Sequence, residues 1–224
     1  MNKEAIINKL DHLVIAAKSL EQGVAYVEET LGVTIPFGGI HPQMGTHNHL
    51  ASLGTDSFLE IIAINPNAEP PRRPRWFDLD NPLMIKSLQR SPRLIGWVAN
   101  TNNIKEVLAH SRCSFGTPET LQRDHLSWQF GLPADGRLLA GGFLPYLIQW
   151  PSKTHPAADM YDVGLHLKSL TCHHTNPAWL KSMLSSIGAD GLIRIKQASC
   201  SKSSTLSAQF KTPSGEVTLH SLEQ

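Results

Sequence analysis

The chain is poor in cysteine, with only three among its 224 residues. Cys113, Cys172 and Cys200 are odd in number, far apart and without C-x-x-C spacing. That excludes a disulfide framework and a zinc knuckle, and leaves reduced thiols of a cytosolic protein as the expectation. No apolar run approaches the ~20 residues that cross a bilayer. Charge of one sign is also lacking: the formal net charge is +1. Neither nucleic acid nor a membrane surface is therefore expected as a partner. The opening Met1-Asn2-Lys3-Glu4-Ala5 has no basic start, apolar run or cleavage site, so a cytoplasmic location is the default expectation. There is no phosphate loop, no G-x-G-x-x-G and no G-x-S-x-G elbow, which removes the usual nucleotide-binding and serine-hydrolase readings.

What is present is a repeat. Leu10–Ala16 reads as a strand, Ser19 as an N-cap, and Leu20, Val24, Val27 and Leu31 recur at helical spacing before Gly32. Short strands follow through Gly45–Leu53 and Phe58–Ile64, separated by the turn Gly54-Thr55-Asp56. Pro66 to Pro74, with Arg72, Arg73 and Arg75, reads as an extended connector. The order then recurs, with a strand at Leu94–Ala99, a helix from Asn103 to His110, and strands at Leu126–Phe130 and Phe143–Trp150. A weaker third pass has a strand at Leu167–His173, a helix at Pro177–Ile187 between Asn176 and Gly188, and strands at 192–195, 205–210 and 217–222. Three imperfect copies of one βαβββ unit account for this pattern.

Two ionisable groups interrupt the apolar strands of the first copy. His12 stands within Leu10–Ala16, and Glu60 within Phe58–Ile64. Desolvating an unpaired charge costs several kcal/mol, so a buried strand seldom carries one without a partner. Phe58 and Ile62 share the face of Glu60, which favours an inward carboxylate over the solvent face of an edge strand. For His12 the plain alternative is a core imidazole bonded to a backbone carbonyl.

The run Asp11–Ala17, the run His41-Pro42-Gln43-Met44-Gly45-Thr46-His47-Asn48, the run Phe58–Ile62 and the closing Pro145–Trp150 resemble the glyoxalase-like domain family. That family lies within the vicinal oxygen chelate superfamily, with glyoxalase I, extradiol dioxygenases and bleomycin-resistance proteins. The resemblance covers about residues 8–155. It implies an α+β fold in which paired βαβββ units, here 8–66 and 92–151, form a cup-shaped mixed sheet. Residues 163–224 would form a third C-terminal unit packed on it. An odd number of units fits either a homodimer or a self-capped arrangement.

The resemblance also implies one metal ligand from the first strand and one from the last strand of each unit. His12 and Glu60 fall on the first pair. The second pair falls near Gly96 and Gln149, and glycine has no side chain to ligate with. In the third unit the matching positions lie near Ser169 and His220. An imidazole and a carboxylate suit Zn, Fe, Mn or Ni with positions open for a bidentate oxygen substrate, and His47 is placed as a third ligand. The implied function is a metal-dependent lyase, isomerase or dioxygenase acting on a small substrate with vicinal oxygens. The alternative is a metal-free small-molecule binding protein of the same fold. Without a metal, Glu60 would act as a general base beside His12. His47, Gln149, Arg75 and Trp97 are the expected substrate contacts. His41 and His49 are expected at the surface or behind the site, and Cys172-His173-His174 as a strand end.

Overall fold

A computed structural model describes residues 6, 8–123, 126–151, 154–199 and 203–221. Strand β1 (Asn8–Ala16) is the centre of the architecture. Its apolar run Leu13-Val14-Ile15-Ala16 is fully buried, as suits a strand covered on both faces. Helix α1 (Leu20–Leu31) starts where the Ser19 hydroxyl accepts from Gln22 N–H, and ends where Gly32 takes a left-handed backbone. The helix lies close on the sheet because Gly23 has no Cβ, which would stand 2.4 Å from Ile61 Cγ2. Strands β2 (Phe37–His41), β3 (Thr46–Gly54) and β4 (Ser57–Ile64) complete the first unit.

The segment between the units does more than connect. Residues 66–74 carry neither helix nor strand, as their prolines require, but a 3₁₀ turn at Trp76–Asp78 and helix α2 (Pro82–Leu88) follow. Trp76, Phe77, Leu79, Met84 and Leu88 bury themselves against Val14, Val98, Phe130 and Tyr146. Phe77 holds an uncommon left-handed backbone (φ 55°), fixed where the Tyr146 hydroxyl accepts its N–H at 3.1 Å. Arg73 ties the segment to the second unit through Glu119 and the Pro133 carbonyl.

The second unit repeats the first: β5 (Arg93–Thr101), α3 (Ile104–His110), β6 (Thr117–Arg123), β7 (Leu126–Leu132) and β8 (Tyr146–Gln149). Both units share one eight-stranded sheet, ordered β2-β3-β4-β1-β5-β8-β7-β6. Strands β1 and β5 meet antiparallel at its centre, and each lies parallel to the last strand of its own unit. The sheet curls until its edges touch: Gln43 of the β2–β3 turn accepts from Gln122 N–H of β6 at 3.1 Å. This is the expected cup.

The third unit comprises β9 (His166–His174), α4 (Pro177–Ser186), β10 (Arg194–Gln197), β11 (Thr205–Thr212) and β12 (Gly215–His220). Its element order matches the other two, but its pairing does not. The four strands form a separate sheet ordered β10-β9-β11-β12, with the first and second strands parallel neighbours. Residue Leu222, expected within the last strand, lies outside the described residues. Leu170, Cys172, Leu206, Ala208 and Phe210 join Leu13, Ile15, Leu59 and Ile61 in one core on the outer face of the large sheet. The inner face is left for the site.

Candidate active site

The site begins with a β-bulge. Leu10 pairs with Ala99 and His12 with Val98, so Asp11 is an extra residue on β1. A bulge re-aims side chains that strict alternation would send to opposite faces. Asp11 is fully buried, and its Oδ1 lies 2.6 Å from His12 Nδ1. Its Oδ2 accepts from Asn100 Nδ2 at 3.0 Å, Trp150 Nε1 at 2.8 Å and His155 Nε2 at 2.9 Å. Burial alone would raise the pKa of this carboxyl, but the hydrogen bonds from His12 and His155 hold it well below the usual carboxylate range.

Two tautomers follow. His155 caps the 3₁₀ turn Pro156–Asp159 by accepting Ala157 N–H at its Nδ1, so its proton sits on Nε2 and is donated to Asp11. The ionised Asp11 likewise requires a proton on His12 Nδ1, and the ring turns its Nε2 toward the pocket. His12 stacks on Phe58 with ring centroids 4.4 Å apart, which fixes its plane.

Glu60 faces that nitrogen. Its Oε2 is 3.6 Å from His12 Nε2, beyond a hydrogen bond, while its Oε1 accepts from Asn48 Nδ2 at 2.6 Å. Asn48 Oδ1 in turn accepts from Arg123 Nη1 at 3.2 Å. The glycine pair in β2 makes room for this relay. A Cβ on Gly38 would stand 2.5 Å from Asn48 Oδ1, and one on Gly39 would stand 2.8 Å from Arg123 Cδ.

Around these groups lies a small pocket. Its walls include Trp76, Phe77, Trp128, Phe130 and Trp150, and Pro156 and Met160 of the segment after His155 close one side. His41 also lines it, buried rather than at the surface. Burial pushes the His41 pKa down to about 3, with Arg123 and His12 adding repulsion, so His41 is neutral at physiological pH.

Several expected site residues stand elsewhere. His47 pairs with Ala63 and His49 with Ile61, residues of the outer core, so both histidines lie on the face opposite Glu60. Alternation along β3 puts Asn48, not its neighbours, in phase with the site. Burial lowers the His47 pKa while the α1 carboxylate of Glu21 opposes the shift. Gln149 caps α3, its Oε1 accepting Ile104 N–H at 2.8 Å. Arg75 pairs with Asp80 at 2.6 Å, away from the pocket. Trp97 is buried in the outer core and donates to the Phe143 carbonyl. Gly96 pairs with Val14 and faces Gly142 and Leu138, whereas Val98 is the residue across from His12. In the third unit, Ser169 and His220 belong to the separate sheet, where His220 bonds to Ser207.

Asp11, Asn48, Arg123 and His155 belong to the site without having been singled out. Their sequence signals are weak: a polar residue beside His12, an amide between two histidines, and two residues far from either strand.

This donor set does not fit a resident divalent metal. His12 and Glu60 face one another, but His47 is on the other side of the sheet and every Asp11 oxygen faces N–H donors. Among the described residues no group of three or more His, Cys, Asp or Glu side chains is placed to hold a metal ion. The guanidinium of Arg123 in the same pocket further disfavours a dication by direct repulsion.

A family model described as a glyoxalase-like domain matches residues 10–188. A search of curated proteins gives no match. Among solved structures, a hypothetical protein from Staphylococcus aureus superposes with a TM-score of 0.59 at 14% identity, over 96% of this chain and 85% of that one. A methylmalonyl-CoA epimerase from Mycobacterium tuberculosis gives 0.43 at 19% identity, over 65% of this chain and 89% of that one. The family match spans most of the chain and both units of the cup, so the protein belongs to the glyoxalase-like domain family.

Proposed function

We propose that this chain is an enzyme that moves a proton at carbon, the isomerase branch of the reactions its family hosts, without a resident metal. The observation that carries this is the pair His12 Nε2 and Glu60 Oε2, 3.6 Å apart on the floor of an apolar pocket. At that separation they make no hydrogen bond to one another. They leave a place for an acidic C–H or an O–H between them.

Glu60 takes a proton from the carbon beside a carbonyl, and the electron pair moves into the enolate. His12 Nε2 takes that proton from Glu60 and, as the imidazolium, returns it to carbon or oxygen. Asp11 stays ionised throughout, since its acceptor positions are filled. It fixes the His12 tautomer and stabilises the imidazolium that forms in turnover. Asn48 donates to Glu60 and fixes the orientation of its carboxylate.

A second reading, a metal-free binding protein, is favoured at the expected second ligand pair, where Gly96 has no side chain to ligate with and Gln149 is used to cap α3. Solvent exchange separates the two. In D₂O, ¹H NMR of ketones, 3-oxo acids and thioesters offered to the protein should show deuterium entering one of them above the buffer rate. Glu60→Gln should remove that excess. No exchange with any substrate, alongside measurable binding, would favour the binding protein.

A further inference from the structure

The free space in the pocket is about 40 Å³. On that measure a water takes on the order of 10–15 Å³, so a few waters fit and a carbon substrate does not. To receive a substrate, one wall of the pocket has to move. Most walls are built in. His12, Asn48, Phe58, Glu60, Phe130 and Ile148 stand on paired strands of the cup. Trp76 and Phe77 are buried in the inner core, where Tyr146 Oη accepts from Phe77 N–H and the Gly136 carbonyl accepts from Asp78 N–H.

The wall made by residues 155–160 is held differently. It is a 3₁₀ turn outside both sheets, with Ala158 and Asp159 exposed. Its backbone bonds are internal: Ala158 N–H donates to the His155 carbonyl at 3.0 Å, and Met160 N–H to the Ala157 carbonyl at 3.2 Å. Its apolar hold is a small cluster in which Ala157 and Met160 pack on Leu50 and Phe58. His155 Nε2 fastens it to the sheet by donating to Asp11 Oδ2 at 2.9 Å. The chain is anchored on either side, by Trp150 on Asp11 and by Leu165 in the outer core. A segment with so few buried apolar contacts opens at a lower free energy than the sheet beneath it.

We infer that residues 155–160 are a strap that lifts to admit substrate and is latched shut by His155 on Asp11. Latch and acid–base pair meet on one carboxylate: Oδ1 holds His12 Nδ1, and Oδ2 accepts from the imidazole of the strap. Closure therefore completes the donor set around Asp11 at the moment it covers the pocket. The inference rests on the acid–base reading only for what the strap admits; its opening is measured without substrate.

Thiol labelling of the whole chain with N-ethylmaleimide, read by peptide mass spectrometry, tests it. Leu50→Cys puts a thiol under the strap, while Cys172, fully buried in the outer core, reports opening of the fold as a whole. The introduced thiol should label faster than Cys172 and at a rate insensitive to low urea, whereas labelling of Cys172 should climb with urea. Adding His155→Ala should speed the introduced thiol by roughly tenfold to a hundredfold, the worth of one hydrogen bond to a charged group when reclosing outpaces labelling. His155→Gln, whose amide can still donate to Asp11, should recover part of that. In the unsubstituted chain, hydrogen exchange at the Ala158 and Met160 amides should show the same insensitivity to urea, which guards against loosening by the Leu50 change itself. An introduced thiol that follows Cys172 in rate and urea slope, or a rate unmoved by His155→Ala, would overturn the strap. If the strap opens locally and no substrate exchanges deuterium, the acid–base reading fails and the strap stands. If exchange occurs while the introduced thiol follows Cys172, the strap fails and the chemistry stands.

Discussion

Asp11 and His12 are neighbours in the chain, yet their side chains meet, with Asp11 Oδ1 2.6 Å from His12 Nδ1. In a regular strand they would point to opposite faces. The bulge at Asp11 removes that restriction and produces a buried carboxylate–imidazole pair within a single strand. Everything proposed for the pocket depends on it, because it decides which nitrogen of His12 faces Glu60.

That dependence can be measured. In ¹⁵N-labelled protein at neutral pH, His12 Nδ1 should carry a proton, far downfield from the bond to Asp11. Asp11→Asn puts an amide N–H among donors that all require an acceptor. The expected cost is on the order of 3 kcal/mol. For a chain of this size that lowers Tm by roughly 6–12 °C. A thermal melt indistinguishable from wild type would mean the four contacts to Asp11 do not form in solution.

His41 provides a pH signature. Its folded pKa of about 3 lies below the ordinary 6.5, so the unfolded chain binds a proton that the folded chain refuses. The stability it contributes is present above pH 6.5 and is lost as the pH falls toward 3. Between pH 7 and pH 5 the loss from this group is roughly 2 kcal/mol. Asp11, also depressed, adds acid sensitivity only at lower pH, from the ordinary value of 3.8 downward. His41→Gln keeps a partner for Thr46 and should flatten the dependence between pH 7 and pH 5, as read from urea midpoints. An unchanged slope would contradict the burial of a neutral imidazole here.

Asn48 separates a carboxylate from a guanidinium, and that separation has its own test. Asn48→Asp puts a negative charge beside Glu60 and lets Arg123 pair with it directly. The added repulsion should move the acidic limb of any pH–rate profile upward. Asn48→Leu should cost stability of ~1–3 kcal/mol by leaving buried partners unmet. If Asn48→Asp leaves the acidic limb in place, Glu60 is not the group that titrates in it.

Much of the fold could be read from residue order. Caps at Ser19 and Asn176, glycine stops at Gly32 and Gly188, and the apolar β1 and β4 are local signals, and they fall where expected. Strand pairing is not local, which is why the third unit repeats the order of the others and still builds a different sheet. The site divides the same way. His12 and Glu60 stood out as charges in apolar strands. Asp11 was hidden by a bulge that breaks alternation, and Arg123 arrives from the far edge of a sheet whose closure no local pattern announces. The histidine-rich run misled because His47 and His49 are conspicuous, while Asn48 between them is the one in phase with Glu60.

The central claim is that His12 and Glu60 do acid–base chemistry without a metal, and the most direct measurement is solvent deuterium exchange on protein stripped of metal and held in chelator. With a substrate that wild type exchanges, the rate should be unchanged by stripping. It should fall by roughly 10²–10⁴ in Glu60→Gln, the usual worth of a general base. Exchange that disappears on stripping and returns with Zn²⁺ or Mn²⁺ would contradict it.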